Sequence, residues 1–97
     1  VVRWQSFKTG EDVRVHVILQ RDVTGYTFAS TLRRLDGRIA AVGTVVVADP
    51  AKGEVYIEFP RTLPAGRYYT DLKYTNGTNF ENIEGYIWIE ICPAATL

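Results

Sequence analysis

Apolar and polar residues alternate in short blocks along almost the whole chain. Val13, Val15, Val17 and Leu19 share one parity and Arg14, His16 and Gln20 the other, with Ile18 the single apolar intruder. Because successive side chains of a strand point to opposite faces, this reads as a half-buried β-strand. After Gly25, Tyr26, Phe28, Ser30 and Leu32 alternate with Thr27, Ala29, Thr31 and Arg33, and Asp36-Gly37 supplies a hairpin turn. "IAAVGTVVVA" is rich in β-branched residues and predicts a further strand, "DPAKG" a loop, and "EVYIEF" a strand with Val55, Ile57 and Phe59 inward and Glu54, Tyr56 and Glu58 outward. Pro60 and Pro64 cannot donate to a ladder, so "PRTLPAG" is a corner.

"RYYTDLKYT" then sets Tyr68, Thr70, Leu72 and Tyr74 on one face and Tyr69, Asp71 and Lys73 on the other, and Asn76-Gly77 turns the chain. In "TNFENIEGYIWIEI", Ile87, Ile89 and Ile91 alternate with Tyr86, Trp88 and Glu90. With an N-terminal strand around Val2 to Phe7, about seven strands recur at the spacing of an antiparallel β-sandwich. Stretches without alternation are short and broken by Gly, Pro or Asp, so no helix is expected and residues 1–97 form one all-β domain.

Composition narrows the function classes. At 97 residues there is room for one core, and 46% hydrophobic with 23% charged residues is the usage of a folded globular domain. Eleven basic and eleven acidic side chains cancel, which leaves no one-signed field for nucleic acid or an anionic membrane surface. Apolar runs are far shorter than the roughly 20 residues of a membrane-spanning helix. The first residues lack the apolar core of a signal peptide, and the absence of methionine reads as a trimmed start or a piece of a longer chain. A single cysteine, Cys92, excludes an internal disulfide and fits a reducing cytosol, and a trimmed secreted chain equally.

Reactive groups are sparse. His16 is the one histidine and has no partner motif for a zinc set or a nucleophile–base pair. Cys92 precedes Pro93 with no activating neighbour in sequence. Asp71 with Glu58, Glu54 or Asp49 could form a glycosidase acid pair only if two carboxylates face each other across a cleft; charges on solvated strand faces explain them more simply. "ADPAKGE", or Glu81 with Glu84, offers oxygen ligands for calcium without the dense acidic pattern of a calcium loop. Asn76-Gly77-Thr78 matches a glycosylation acceptor but is already explained as a turn. No cofactor, metal site or catalytic residue is assigned.

Outward aromatic rings are the stronger signal. Tyr56, Tyr69, Tyr86 and Trp88 fall on predicted outer faces, while Tyr26, Phe28, Phe59, Tyr68 and Tyr74 belong to the core. Outward rings can stack on sugars, anchor a protein interface, or pair across strands, and Trp4 joins them as an interface candidate.

The order "GEDVRVHVIL", "GYTFASTLRR", "GEVYIEFPRTLPAGRYYTDLKYT", "IEGYIWIEI" resembles small immunoglobulin-like domains of tailed-phage virion proteins, including those near the start of upper baseplate proteins and in head, neck or fibre accessory proteins. The matching positions are Leu63 and Pro64 of the corner, Gly66, Tyr68 and Asp71 of the next strand, and Gly85, Ile87 and Ile89 of the last, within a similarity covering about residues 9 to 91. Thr70 departs from it, since members often carry an aromatic residue just before the aspartate. The resemblance implies an immunoglobulin-like sandwich, a non-enzymatic role in the virion after synthesis in the host cytoplasm, and other capsid, neck, tail or baseplate proteins as partners. A capsid decoration or cement subunit is one form of this, and self-association into a homo-oligomer stays open. The alternative is a carbohydrate-binding module that recognises a host-surface glycan through the same rings; a small hydrolase is the third reading.

Overall fold

The computed structural model describes residues 4–83 and 85–94. Val2, in the expected first strand, and Glu84 lie outside them. Eleven strands and no helix occur among the described residues: β1 (Trp4–Lys8), β2 (Val13–Ile18), β3 (Thr27–Ala29), β4 (Thr31–Arg34), β5 (Ile39–Val42), β6 (Thr44–Asp49), β7 (Glu54–Phe59), β8 (Gly66–Thr70), β9 (Lys73–Thr75), β10 (Phe80–Asn82) and β11 (Ile87–Cys92). They form a five-stranded sheet in the order β1-β11-β8-β4-β5 and two three-stranded sheets, β10-β9-β3 and β2-β7-β6. The fold is an all-β sandwich of immunoglobulin-like type.

Its core is built mostly from residues whose parity marked them as inward. Leu32, Tyr68, Ile89 and Ile91 of the five-stranded sheet meet Val13, Val15, Val55, Ile57 and Phe59 of the β2-β7-β6 sheet, and Leu63, Leu72 and Tyr74 complete the cluster. Tyr26 and Phe28 are half-buried and pack against it. Tyr68 is 2% exposed, and its phenol donates to the Pro64 carbonyl at 2.7 Å. This tyrosine corner ties the Pro-bounded crossing between sheets to the strand that follows, a hallmark of immunoglobulin-like sandwiches.

Three expected strands are each divided in two. Between β3 and β4, and between β8 and β9, the paired ribbons bend at Ser30 and at Asp71-Leu72. No residue is inserted there: Arg33 pairs with Tyr69, and Thr27, six residues earlier, pairs with Thr75, six residues later. The inward set therefore stays inward, and Thr70, Leu72 and Tyr74 are all buried. Buried hydroxyls hold the bend. Ser30 Oγ lies 2.7 Å from Thr70 Oγ1 and 2.8 Å from the Asp71 carbonyl, and Thr70 Oγ1 lies 2.9 Å from the Thr31 carbonyl. These side chains take backbone partners where the ladder is interrupted, as buried polar groups must.

"IAAVGTVVVA" divides at Gly43, where the chain leaves the five-stranded sheet as β5 and joins the opposite layer as β6. A Cβ at Gly43 would stand 2.8 Å from Phe59 Cε1, so the crossing needs glycine to let the backbone lie against the core. One pairing departs from the antiparallel expectation: β1 runs parallel to β11, with Trp4 opposite Trp88 and Lys8 opposite Cys92. Alternation reports which face a strand buries, not the direction it runs.

Candidate functional site

On the outer face of the five-stranded sheet, one row of cross-strand neighbours reads Trp4, Trp88, Tyr69 and Arg33 across β1, β11, β8 and β4. Direct cross-strand neighbours have Cβ atoms about 5 Å apart, so large side chains in such a row touch. Ring centroids lie 5.4 Å apart for Trp4 and Trp88 and 5.7 Å for Tyr69 and Trp88. Tyr86, in the turn before β11, adds edge-on contacts at 5.1 Å to Tyr69 and 6.0 Å to Trp88. The offset and tilted geometries are those that favour aromatic pairs. Tyr86 nevertheless keeps 57% of its surface exposed and Trp4 36%.

A charged row flanks the rings. The Arg67 guanidinium sits 5.4 Å from the Trp4 ring centre, while its Nε lies 3.3 Å from the Glu90 carboxylate. Cys92 Sγ donates to Glu90 at 3.3 Å, and that hydrogen bond, helped by partial burial, holds the thiol pKa above its ordinary value. A thiol so placed is a poor nucleophile at neutral pH.

Beyond Tyr69 and Tyr86 the bend makes the outer surface concave. A depression of about 330 Å³ is lined by Thr31, Arg33, Tyr69, Asp71, Lys73 and Tyr86. A second, of about 430 Å³, shares Ala29 and Lys73 with it and ends at Phe80, which is 82% exposed. Since the ribbon keeps its register through the bend, both lie on one face and adjoin at Ala29 and Lys73, a trough in two parts.

Of the five candidate residues, Trp4, Tyr69, Tyr86 and Trp88 are thus brought together. Tyr56 is not with them. It lies on the outer face of β7, in the other layer, with His16 stacked on it at 4.7 Å and the Arg14 guanidinium 4.0 Å from its centre. His16 Nε2 also lies 3.3 Å from Glu54, and Arg14 Nε 3.6 Å from Glu58. Histidine, tyrosine and both glutamates are accounted for by cross-strand pairing. Asp71 belongs to the outer face of the other layer, so it does not oppose Glu58 or Glu54 across a cleft. Glu81 is held by Arg21 Nη1, which donates to both carboxylate oxygens at 3.0 and 2.8 Å; that bond raises the arginine pKa further. Among the described residues no group of three or more His, Cys, Asp or Glu is placed to hold a metal ion. Asn76 caps its own loop, its Oδ1 accepting from the Thr78 and Asn79 amides.

Sequence reasoning passed over Arg67, Arg33 and Phe80. Arg67 and Arg33 could have been found, because each shares the outward parity of its neighbours on β8 and β4. Phe80 could not, since three-residue β10 shows no alternation to read.

No protein-family model and no curated protein sequence matches the chain. Among solved structures it is similar to CopC from Methylosinus trichosporium OB3b, with a TM-score of 0.64 and 13% sequence identity over 97% of this chain and 88% of that one. At that identity the likeness establishes the β-sandwich fold alone.

Proposed function

We propose that the chain is a non-enzymatic structural domain of a tailed-phage particle that docks on a neighbouring virion protein through the outer face of its five-stranded sheet. The observation that carries this reading is the in-register row Trp4–Trp88–Tyr69, extended by Tyr86 and rimmed by Arg67 and Arg33. Trp, Tyr and Arg are enriched in binding hot spots: the rings bury large areas with few rotatable bonds and keep a polar handle, and the arginine guanidinium adds a planar set of donors that stacks on rings. The sandwich needs only its inner faces for folding, so four clustered rings on an outer face suit a surface that becomes covered. The phage setting rests on the residues of the corner, of the strand after it and of the last strand. Mass spectrometry of purified particles should find the chain in stoichiometric amount, and Trp88→Ala should deplete it. A particle without the chain refutes the assignment, and undiminished incorporation of Trp88→Ala refutes the docking face.

The trough favours a second reading, a glycan-binding module. Its lining combines rings with Thr31, Arg33, Asp71, Asn82 and Lys73, groups suited to the hydroxyls and apolar faces of a sugar chain. Binding on a glycan array that disappears in Tyr86→Ala would support it, and an empty array would remove it.

A further inference from the structure

The ribbon from Ile39 to Asp49 is unlike the other borders of the sandwich. As β5 it is the last strand of one sheet and as β6 the last strand of the opposite one, and among the described residues no strand pairs with its outer side. An edge strand exposes unpaired N–H and C=O groups, and soluble proteins usually blunt it with charge, proline or shortness. Elsewhere this chain does so: β2 carries Arg14 and His16 within the strand, β10 carries Glu81 at its centre, and β3 is three residues long; β1 ends on a charge, Lys8, as β6 ends on Asp49. From Ile39 to Ala48 there is neither a charge nor a proline. Register irregularities fall only near the ends, at Ala40 and Ala48. Leu35, Ile39, Val42, Val46 and Val47, five of the nine large hydrophobic side chains exposed among the described residues, cluster along this border.

We infer that this edge is a homodimer contact, taken by the same edge of a second copy in antiparallel, two-fold apposition. Free backbone groups call for a β-strand as the occupant. A two-fold contact sets a patch against itself, so it must hold no uncompensated charge. This ribbon is uncharged between its ends, and the chain's eleven cations balance its eleven anions, so two copies do not repel. The ends differ in sign, with Arg38, whose Nε also lies 3.6 Å from its own exposed Asp36, before Ile39 and Asp49 at the close of β6. Antiparallel apposition brings each Arg38 toward the partner's Asp49, whereas parallel apposition would bring like charges together. The contact leaves Trp4, Trp88 and Tyr69 open, since these lie on β1, β11 and β8 toward the other border of the sheet. It therefore stands or falls independently of the virion reading.

Sedimentation equilibrium of the purified chain tests this. The contact is small, so the expected dimer Kd is on the order of 10–100 µM. Val42→Lys and Val46→Lys, on either side of the crossing, should each weaken it about tenfold or more while circular dichroism keeps the β signature. Arg38→Asp and Asp49→Arg should each weaken it roughly two- to five-fold, and the double variant should restore it. Three outcomes overturn the inference: a chain monomeric to about 1 mM, a dimer indifferent to both lysines but lost in Trp88→Ala, or a charge swap without rescue. A fourth would too: a photoreactive residue in place of Val46 that crosslinks only to a different protein and never to a second copy gives the edge another occupant.

Discussion

Replacing Thr70 by valine keeps the shape of a fully buried side chain and removes one oxygen, so it isolates what the hydroxyls do at the bend. Thr70 is 1% exposed, and its Oγ1 approaches Ser30 Oγ at 2.7 Å, the Thr31 carbonyl at 2.9 Å and the Asp71 carbonyl at 3.2 Å. Ser30 and Thr70 have two protons between them, so they form a relay in which one hydroxyl donates to the other and the second donates to a carbonyl. Valine breaks the relay at its middle. One buried carbonyl or the Ser30 hydroxyl then loses its partner without access to water, and a buried unsatisfied group costs about 1–3 kcal/mol. With the lost bond itself, Thr70→Val should destabilise by about 2–3 kcal/mol. For a domain of this size that lowers Tm by roughly 8–24 °C. Ser30→Ala should cost about 1–2 kcal/mol, and the double variant less than the sum by about 1 kcal/mol, because the mutual bond is lost once. Thermal and urea denaturation followed by circular dichroism measure all three. A loss under about 0.5 kcal/mol for Thr70→Val, or strict additivity, would refute the relay.

Gly43→Ala should destabilise by about 1–3 kcal/mol, since its Cβ would meet Phe59 Cε1 at 2.8 Å and Ile57 Cγ2 at 3.0 Å inside the core. Adding Phe59→Leu should recover part of that loss in the same denaturation assay; an unaltered midpoint for Gly43→Ala alone would show that the crossing is not tight. Cys92 should alkylate with iodoacetamide more slowly at pH 8 than a free thiol, and Glu90→Gln should accelerate it, because the carboxylate that raises the thiol pKa is gone; equal rates would contradict this. Asp22 accepts from the Thr24 hydroxyl and amide, which lowers its pKa. Its contribution to stability is therefore complete above the ordinary aspartate pKa and lost as pH falls through the lowered folded value. Asp22→Ala should flatten the acid limb of the stability curve, and an identical slope in wild type and variant would exclude the effect.

Face assignment was the part of the structure most legible in the sequence. Tyr68, Thr70, Leu72 and Tyr74 are buried and Tyr69, Asp71 and Lys73 lie outward, as period-two patterning requires. That patterning survives the bend because the paired ribbons turn together without slipping. The bend itself left a mark that alternation cannot interpret: Ser30 and Thr70 are hydroxyl residues at inward positions, and only pairing across about forty residues reveals that they meet. Gly43 marked its crossing in the same oblique way. Which outward rings share a surface was also hidden, because parity gives Tyr56 and Tyr69 the same label although they face away from each other on different layers. Sheet order decides that, and it depends on contacts distant in sequence, including the parallel pairing of β1 with β11.

The two outer faces differ in a way the fold does not require. On the β2-β7-β6 side, Arg14 meets Glu58, His16 meets Glu54, and Tyr56 lies between them, so the ring and its charged neighbours are already partnered, although Ile18 and Val46 stay exposed on the same face. Across the five-stranded sheet, three strands contribute rings to one row, and a fourth ring from the preceding turn enlarges it although it stays largely exposed. Mutual contact between rings offsets part of their hydration, but Tyr86 gains little for the fold while it is wetted on most of its surface. A sandwich built for stability alone could carry the first kind of face on both sides. The asymmetry is why the docking proposal sets the partner over Trp4, Trp88, Tyr69 and Tyr86, and why Tyr56, despite its outward parity, is better explained by the strands beside it.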